Sequence, residues 1–500
     1  MTYYLGIDIG TSGTKVLLIN DEGLPVASAT HEYPLSTPRP LWAEQDPELW
    51  WTASVAGVKD VLAKSEIDPT TIGGIGLSGQ MHGSVFLDKN DKVLRPALLW
   101  CDQRTQAECD WLTTEVGSEN LVKYISNPVL TGFTAPKIIW LRNNEPDIYR
   151  QVTKVLLPKD YVRLKLTGVY ATEVSDASGT ALFDVKNRRW SREVLEAAQI
   201  PYDWMADCAE SVAVTGWISA AAAAQTGLAE GTPVVGGGGD QAAGAVGTGV
   251  VETGIVSSTI GTSGVVFAYA DEPATDPKMR IHTFCHAVPG KWHVMGVHLS
   301  SGGSLRWLRD EFYKGASYDV LNQEAGAVLP GSEGLVFLPY LTGERTPYPD
   351  PYAKGTFFGI TLRHGRGHFA RSVMEGVTYS LRDSFEIFKE LGVEINEVRA
   401  SGGGAKSPLW RQINADAIGA EHVTLSIDEG PALGVALLAA VGTGAFATVA
   451  DACKTAIKVT NRVRPIGAHT ETYNRFYPVY RSLYPALKDQ FAAISKAVEE

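Results

Sequence analysis

Ile9-Gly10-Thr11-Ser12-Gly13 recurs letter for letter as Ile260-Gly261-Thr262-Ser263-Gly264, roughly half the chain further on. Each copy lies between two short apolar or β-branched runs: Tyr4–Ile7 and Val16–Ile19 around the first, Ile255–Ser258 and Val265–Ala268 around the second. The pattern reads as strand, tight glycine turn, strand, a hairpin whose tip can cradle phosphate. A repeated hairpin predicts two similar halves facing each other. Asp8 precedes the first copy and Thr259 the second, so only one half brings a carboxylate to the turn.

Outward from the first hairpin, strands are expected at Tyr3–Ile9, Thr14–Asn20 and Pro25–Glu32, with an Asn20–Gly23 turn between the last two. A helix follows, with Asp46 as N-cap and Pro47 at its first position, and runs to about Lys64. Ile72–Leu77 then returns as a strand. Three antiparallel strands, a helix and another strand open the ribonuclease-H-like fold of actin-type ATPases. A helix-rich block over Gln106–Leu166 has Trp111 and Trp140 as expected core anchors. The Ala/Gly-rich Ala242–Gly249 leads to the second hairpin and marks the domain boundary. Beyond it the theme repeats, with strands at Ile255–Ala268, Trp292–His298 and Val398–Ser401 and a helix at Gly303–Tyr313.

At 500 residues there is chain enough for two cores. A net charge of -12 argues against nucleic acid and anionic membranes as partners, since both need basic patches. Nucleotides stay open, because backbone amides and a metal hold phosphate as readily as Lys or Arg. Five cysteines without a CxxC suit a reducing cytosol. Met1 runs almost directly into the first strand, with no leader pattern. The longest apolar stretch, Pro431–Val441, is shorter than the ~20 residues a spanning helix needs. These features point to a cytoplasmic, soluble enzyme or ATPase.

Asp8, beside the glycine turn, is a candidate Mg²⁺ partner, since Mg²⁺ takes one or two carboxylates plus waters. Gly236–Gly239 follows the apolar strand Pro233–Val235 and ends in Asp240-Gln241. Four consecutive glycines cost conformational entropy, and the expectation is that they let a ligand approach the backbone and present Asp240. Such an aspartate can accept a hydroxyl proton in phosphoryl transfer. Gly402–Gly404, between the strand Val398–Ser401 and the helix Pro408–Ile418, reads as a third loop for nucleotide. Pro431, Ala432 and Gly434 are small enough to admit an adenine, and equally suit helix packing. Met81-His82-Gly83 places an imidazole on a turn where it can bond a polyol. Gly74–Gly79 spells GxGxxG but lies inside a strand, which argues against a dinucleotide site. His282, Cys285 and His286 lack a recognised zinc spacing.

These residues resemble the FGGY carbohydrate kinases. Tyr4–Ser12 looks like the family's opening, Phe133–Leu141 like its first signature, and Gly355–Ile360 running on to Glu375-Gly376 like its second. Leu41–Pro47, Gly79–Gly83, Leu157–Tyr161, Phe284–Ala287 and Leu341–Pro347 resemble its ketopentose-phosphorylating branch. The resemblance covers nearly the whole chain, fading after about Gly444.

It implies an α/β protein of two ribonuclease-H-like (actin/Hsp70-type ATPase) domains flanking a deep cleft. Residues 1–247 would carry the sugar and the aspartates, and residues 248–500 ATP, with the terminal helices packing back on the first domain. The implied reaction is phosphorylation of the terminal 5-hydroxyl of D-xylulose by ATP with Mg²⁺, in a protein that pairs as a homodimer. Asp240 is implied as general base and Asp8 as the second aspartate, near the metal. Met81, His82, Asp240 and Gln241 fall on sugar positions, and Thr11, Ser12, Thr262, Gly302, Gly403 and Gly404 on nucleotide positions. Gln241 departs from the branch, which has Asn there, and matches the glycerol-phosphorylating branch. Without the sugar phrases, the two hairpins would equally suit an ATPase switch that takes no small substrate.

Overall fold

The first half opens with strands β1 (Tyr3–Ile9), β2 (Gly13–Ile19) and β3 (Pro25–Glu32), an antiparallel meander with the expected boundaries to within a residue. Helix α1 (Pro47–Ser65) starts where the Asp46 carboxylate accepts the Glu48 N–H at 3.0 Å. It ends at Glu66, whose left-handed backbone (φ 53°) lets its N–H cap Leu62 O. Strand β4 (Ile72–Gly79) then runs parallel to β1. After helices α2 (Thr134–Asn144) and α3 (Pro158–Thr167) come β5 (Val214–Trp217) and β6 (Pro233–Val235), and then α4 (Asp240–Gly247). The sheet order is β5-β6-β4-β1-β2-β3. The computed structural model describes residues 1–427 and 429–499.

The second half contains β7 (Gly254–Ile260), β8 (Gly264–Ala270), β9 (His282–Cys285) and β10 (Trp292–His298). Helices α5 (Gly302–Phe312) and α6 (Arg366–Glu390) lead to β11 (Ile395–Ser401), α7 (Pro408–Ile418) and β12 (Glu421–Leu425). Helix α8 (Pro431–Gly442), β13 (Val459–Val463) and α9 (Gly467–Glu499) complete the chain. The second sheet runs β9-β10-β8-β7-β11-β12-β13.

Set side by side, β3-β2-β1-β4-β6-β5 and β10-β8-β7-β11-β12-β13 share every pairing sense: two antiparallel, two parallel, one antiparallel. The repeat is therefore architectural, and the fold is the two-domain α/β arrangement of actin/Hsp70-type ATPases. Register sharpens the comparison. Asp8 lies opposite Ser78 and Lys15, and the equivalent Thr259 lies opposite Ser401 and Val265. In the second half the Thr259 and Ser401 hydroxyls bond each other at 2.7 Å.

Helix α8 crosses between the halves. It lies on β1 and β4 and packs against α4 so closely that backbone meets backbone. A Cβ on Gly6 would sit 2.0 Å from Ala432 O, on Gly76 2.0 Å from Val435 O, and on Gly434 1.8 Å from Ala243 O. The glycines of β4 that spell a dinucleotide motif are thus the floor on which a helix rests. Helix α9 lies on the second half, where Arg371 donates to Tyr473 Oη (2.9 Å) and Tyr477 donates to Asp383 (2.6 Å). Trp140 is buried and meets Trp42 edge-on, as a core anchor should. Trp111 is partly buried and packs against the same core, under the Arg142 guanidinium. Among the described residues no helix is long and apolar enough to cross a membrane.

Candidate active site

Asp8, near the end of β1, and Asp240, the first residue of α4, come close enough for the Asp8 charge to act on Asp240. Burial raises Asp8 to about 6, while Ser78 and Lys15 pull it the other way. Asp240 is pushed up to about 7 by burial and then by the Asp8 charge. Asp8 Oδ1 is buried with no hydrogen-bond partner. An orphaned carboxylate oxygen beside a second carboxylate suits a hard divalent cation, so the donor set fits Mg²⁺. Gln241 Nε2 donates to Asp240 Oδ1 at 3.4 Å.

The His82 turn stands beside Asp240. Met81 packs on Gly239, where a Cβ would meet Met81 Cγ at 2.9 Å. His82 has a left-handed backbone (φ 69°), and its ring stacks on Phe133 with centroids 4.6 Å apart. Its Nδ1–H donates to Gly179 O at 2.6 Å. Burial, then the Lys137 charge, holds its pKa well below the ordinary range, so the ring is neutral and Nε2 keeps a lone pair. That is the acceptor a polyol hydroxyl needs. Beneath the turn, the buried Lys137 Nζ, its pKa lowered to about 7 by burial, donates to His82 O (2.9 Å) and Gly132 O (2.6 Å), and Thr134 adds a bond to His82 O. Phe133, Thr134 and Lys137, all in the first signature stretch, thus fasten the imidazole.

The tips of both hairpins present backbone amides. Among the described residues nothing accepts from the Thr11 and Ser12 amides, nor from those of Thr262 and Ser263. Successive unclaimed amides form an anion nest. The Thr11 side chain, however, is engaged within the first half. It donates to Gln80 Oε1 (3.2 Å) and accepts from the Trp100 indole N–H (2.9 Å). Ser12 is exposed, with its carbonyl accepting the Tyr33 N–H at 3.2 Å.

Thr262, Gly302, Gly403 and Gly404 all line one cavity of about 560 Å³. The N-termini of α5 and α7 open onto it, which favours negative charge there. Tyr318, Asn322, Lys406 and Trp410 also line it and carry no local sequence signal. Trp100 escaped notice for the same reason. It is 39% exposed despite its size, and only the bond to Thr11 places it at the first hairpin.

One expectation about glycines is corrected, and one open alternative is decided. The run Gly236–Gly239 serves the chain's own packing: a Cβ would meet Glu210 O at Gly236 (2.6 Å), Leu77 O at Gly237 (1.9 Å) and Met81 at Gly239. Pro431, Ala432 and Gly434 are taken up by helix packing and do not line the cavity. Gly403 alone of the Gly402–Gly404 loop faces open space, where an added Cβ would meet only Ile260 O at 3.9 Å.

The sequence matches the FGGY family of carbohydrate kinases, N-terminal domain, over residues 3–247 and C-terminal domain over residues 256–443. It is 43% identical to a xylulose kinase of Escherichia coli (strain K12) over 439 residues, 88% of this chain and 90% of that one. It is 38% identical to a xylulose kinase of Bacillus subtilis (strain 168) over 494 residues, 99% of each. The fold superimposes on the crystal structure of xylulose kinase from Rhodospirillum rubrum with a TM-score of 0.92 at 30% identity, covering 98% of this chain and 100% of that one.

Proposed function

The chain belongs to the FGGY family of carbohydrate kinases, and on that premise we propose that it transfers the γ-phosphoryl group of ATP to O5 of D-xylulose, with Asp240 as general base. The observation that carries the reading is the pairing of Asp240, poised near neutrality, with a neutral imidazole on the adjoining turn. In it, residues 1–247 bind sugar and residues 248–500 bind ATP. The sugar lies against His82 and Met81, with His82 Nε2 accepting from one of its hydroxyls. Asp240 takes the O5 proton as the O5–P bond forms and the bond to ADP breaks. Thr262, Gly302, Gly403 and Gly404 surround the nucleotide, and the amides of Thr11 and Ser12 meet its phosphates from the other side. Mg²⁺, when held beside Asp8, supplies charge neutralisation for the phosphates. Closure of the halves would exclude water as a competing nucleophile.

The test is Asp240→Asn. Loss of a general base lowers turnover ~10²–10⁴-fold, while ATP binding, measured by titration calorimetry, should persist. Near-normal turnover would remove Asp240 from the role. Asp8→Asn should show a defect that raised Mg²⁺ partly relieves, whereas turnover indifferent to the substitution would remove the metal assignment. A second reading, a kinase for another sugar or polyol, is favoured by one feature: Gln241 reaches Asp240 directly, so its longer side chain alters the space beside the base.

A further inference from the structure

Beneath the Asp240 loop lies a buried ion cluster that the reaction chemistry does not use. Lys159, Asp160, Arg163, Glu173 and Asp176 are each almost completely buried. The Lys159 ammonium donates to Asp160 Oδ1 at 2.6 Å and lies 3.2 Å from Asp176 Oδ2 and 3.8 Å from Glu173 Oε1. Burial works against its charge, but Asp160, Asp176 and Glu173 outweigh that and hold it above its ordinary range. So many charges out of water are costly unless they hold something in place.

What they hold is the glycine run. Glu173 is the hub. Its Oε1 accepts from Ser175 Oγ (2.9 Å) and Asp176 N–H (2.8 Å), and its Oε2 from Ser175 N–H (2.7 Å) and Ser211 Oγ (2.8 Å). Ser175 Oγ accepts the Gly239 N–H at 3.1 Å, one residue before Asp240. Ser211 O accepts the Gly237 N–H at 2.8 Å. At the other end, Arg163 Nη2 donates to Val235 O (2.8 Å) and Gly236 O (2.7 Å). The loop is therefore gripped at both ends by side chains rooted in one charged cluster.

We infer that Ser175, held in place by Glu173, is the positioning residue that sets where Asp240 stands. The inference rests on Asp240 being the base. Glycines give the loop its close packing but no side chains of their own to fix it. A base must sit within hydrogen-bond reach of its proton, so a loop that drifts loses rate before it loses affinity.

The experiment is a double-mutant cycle between Ser175 and Asp240. Ser175→Ala should lower kcat about tenfold, the worth of one buried hydrogen bond, with KM for ATP and for sugar within about twofold of wild type. Placed on Asp240→Asn, measured by single turnover, the same substitution should cost nothing further. Ser175→Cys, close in shape and a poor acceptor, is read the same way if the alanine variant does not fold. An unchanged kcat, a loss expressed in KM, or an equal loss on the Asp240→Asn background would overturn the inference. Near-normal turnover in Asp240→Asn alone would instead overturn the base assignment on which it rests.

Discussion

Burial raises Asp240, and the nearby Asp8 charge raises it further. With Asp240 at about 7, kcat/KM for sugar should fall as pH drops below that value, because a protonated base cannot take the hydroxyl proton. Asp8→Asn removes the negative charge that helps to raise Asp240, so the acid limb should move to lower pH. A pH–rate profile that stays put, or moves upward, would contradict the coupling. Lys137 carries a second residue-scale expectation. Lys137→Met removes both bonds to the carbonyls under His82 and should raise KM for sugar roughly tenfold, with KM for ATP unchanged. Steady-state kinetics decide it. Asp8 and Asp240 stand out in the sequence because each adjoins a glycine-rich turn. Lys137 does not, since a lysine inside a helix reads as solvated until tertiary packing buries it.

At the scale of elements, glycine runs divide into two kinds that look alike in sequence. Gly434 sits where α8 meets α4, and a methyl group there would collide with Ala243 O. Gly434→Ala should therefore destabilise the protein by ~1–3 kcal/mol as overpacking, seen as a lower Tm. Gly403 faces the cavity with nothing near it. Gly403→Ala should leave Tm unchanged and raise KM for ATP, and the opposite pattern in either variant would reverse the assignment. The strands β1–β3 and helices α1 and α7 were readable to within a residue or so, because apolar patterning marks them locally and Asp46-Pro47 marks the start of α1. Spelling cannot say whether a glycine clears room for a ligand or for a helix that arrives from the far end of the chain. That is why Gly236–Gly239 was misread and why Pro431–Gly434 stayed open between an adenine and helix packing until the structure decided for packing.

For the whole molecule, the repeated pentapeptide marks a repeated strand architecture in which the halves differ at one position beside the turn. One half keeps Asp8 opposite Ser78 and Lys15, and the other has Thr259 opposite Ser401 and Val265. One half thus supplies carboxylates and the other a cavity fronted by two helix N-termini. Such a division suits transfer between two ligands rather than hydrolysis of one. The most direct test is ADP release by the purified protein with Mg²⁺-ATP and, in turn, D-xylulose, L-ribulose, D-ribulose, gluconate, glycerol or no acceptor. The account predicts release that depends on acceptor, is fastest with D-xylulose, and yields a 5-phosphate by ³¹P NMR. ADP release at the same rate without any acceptor would contradict it.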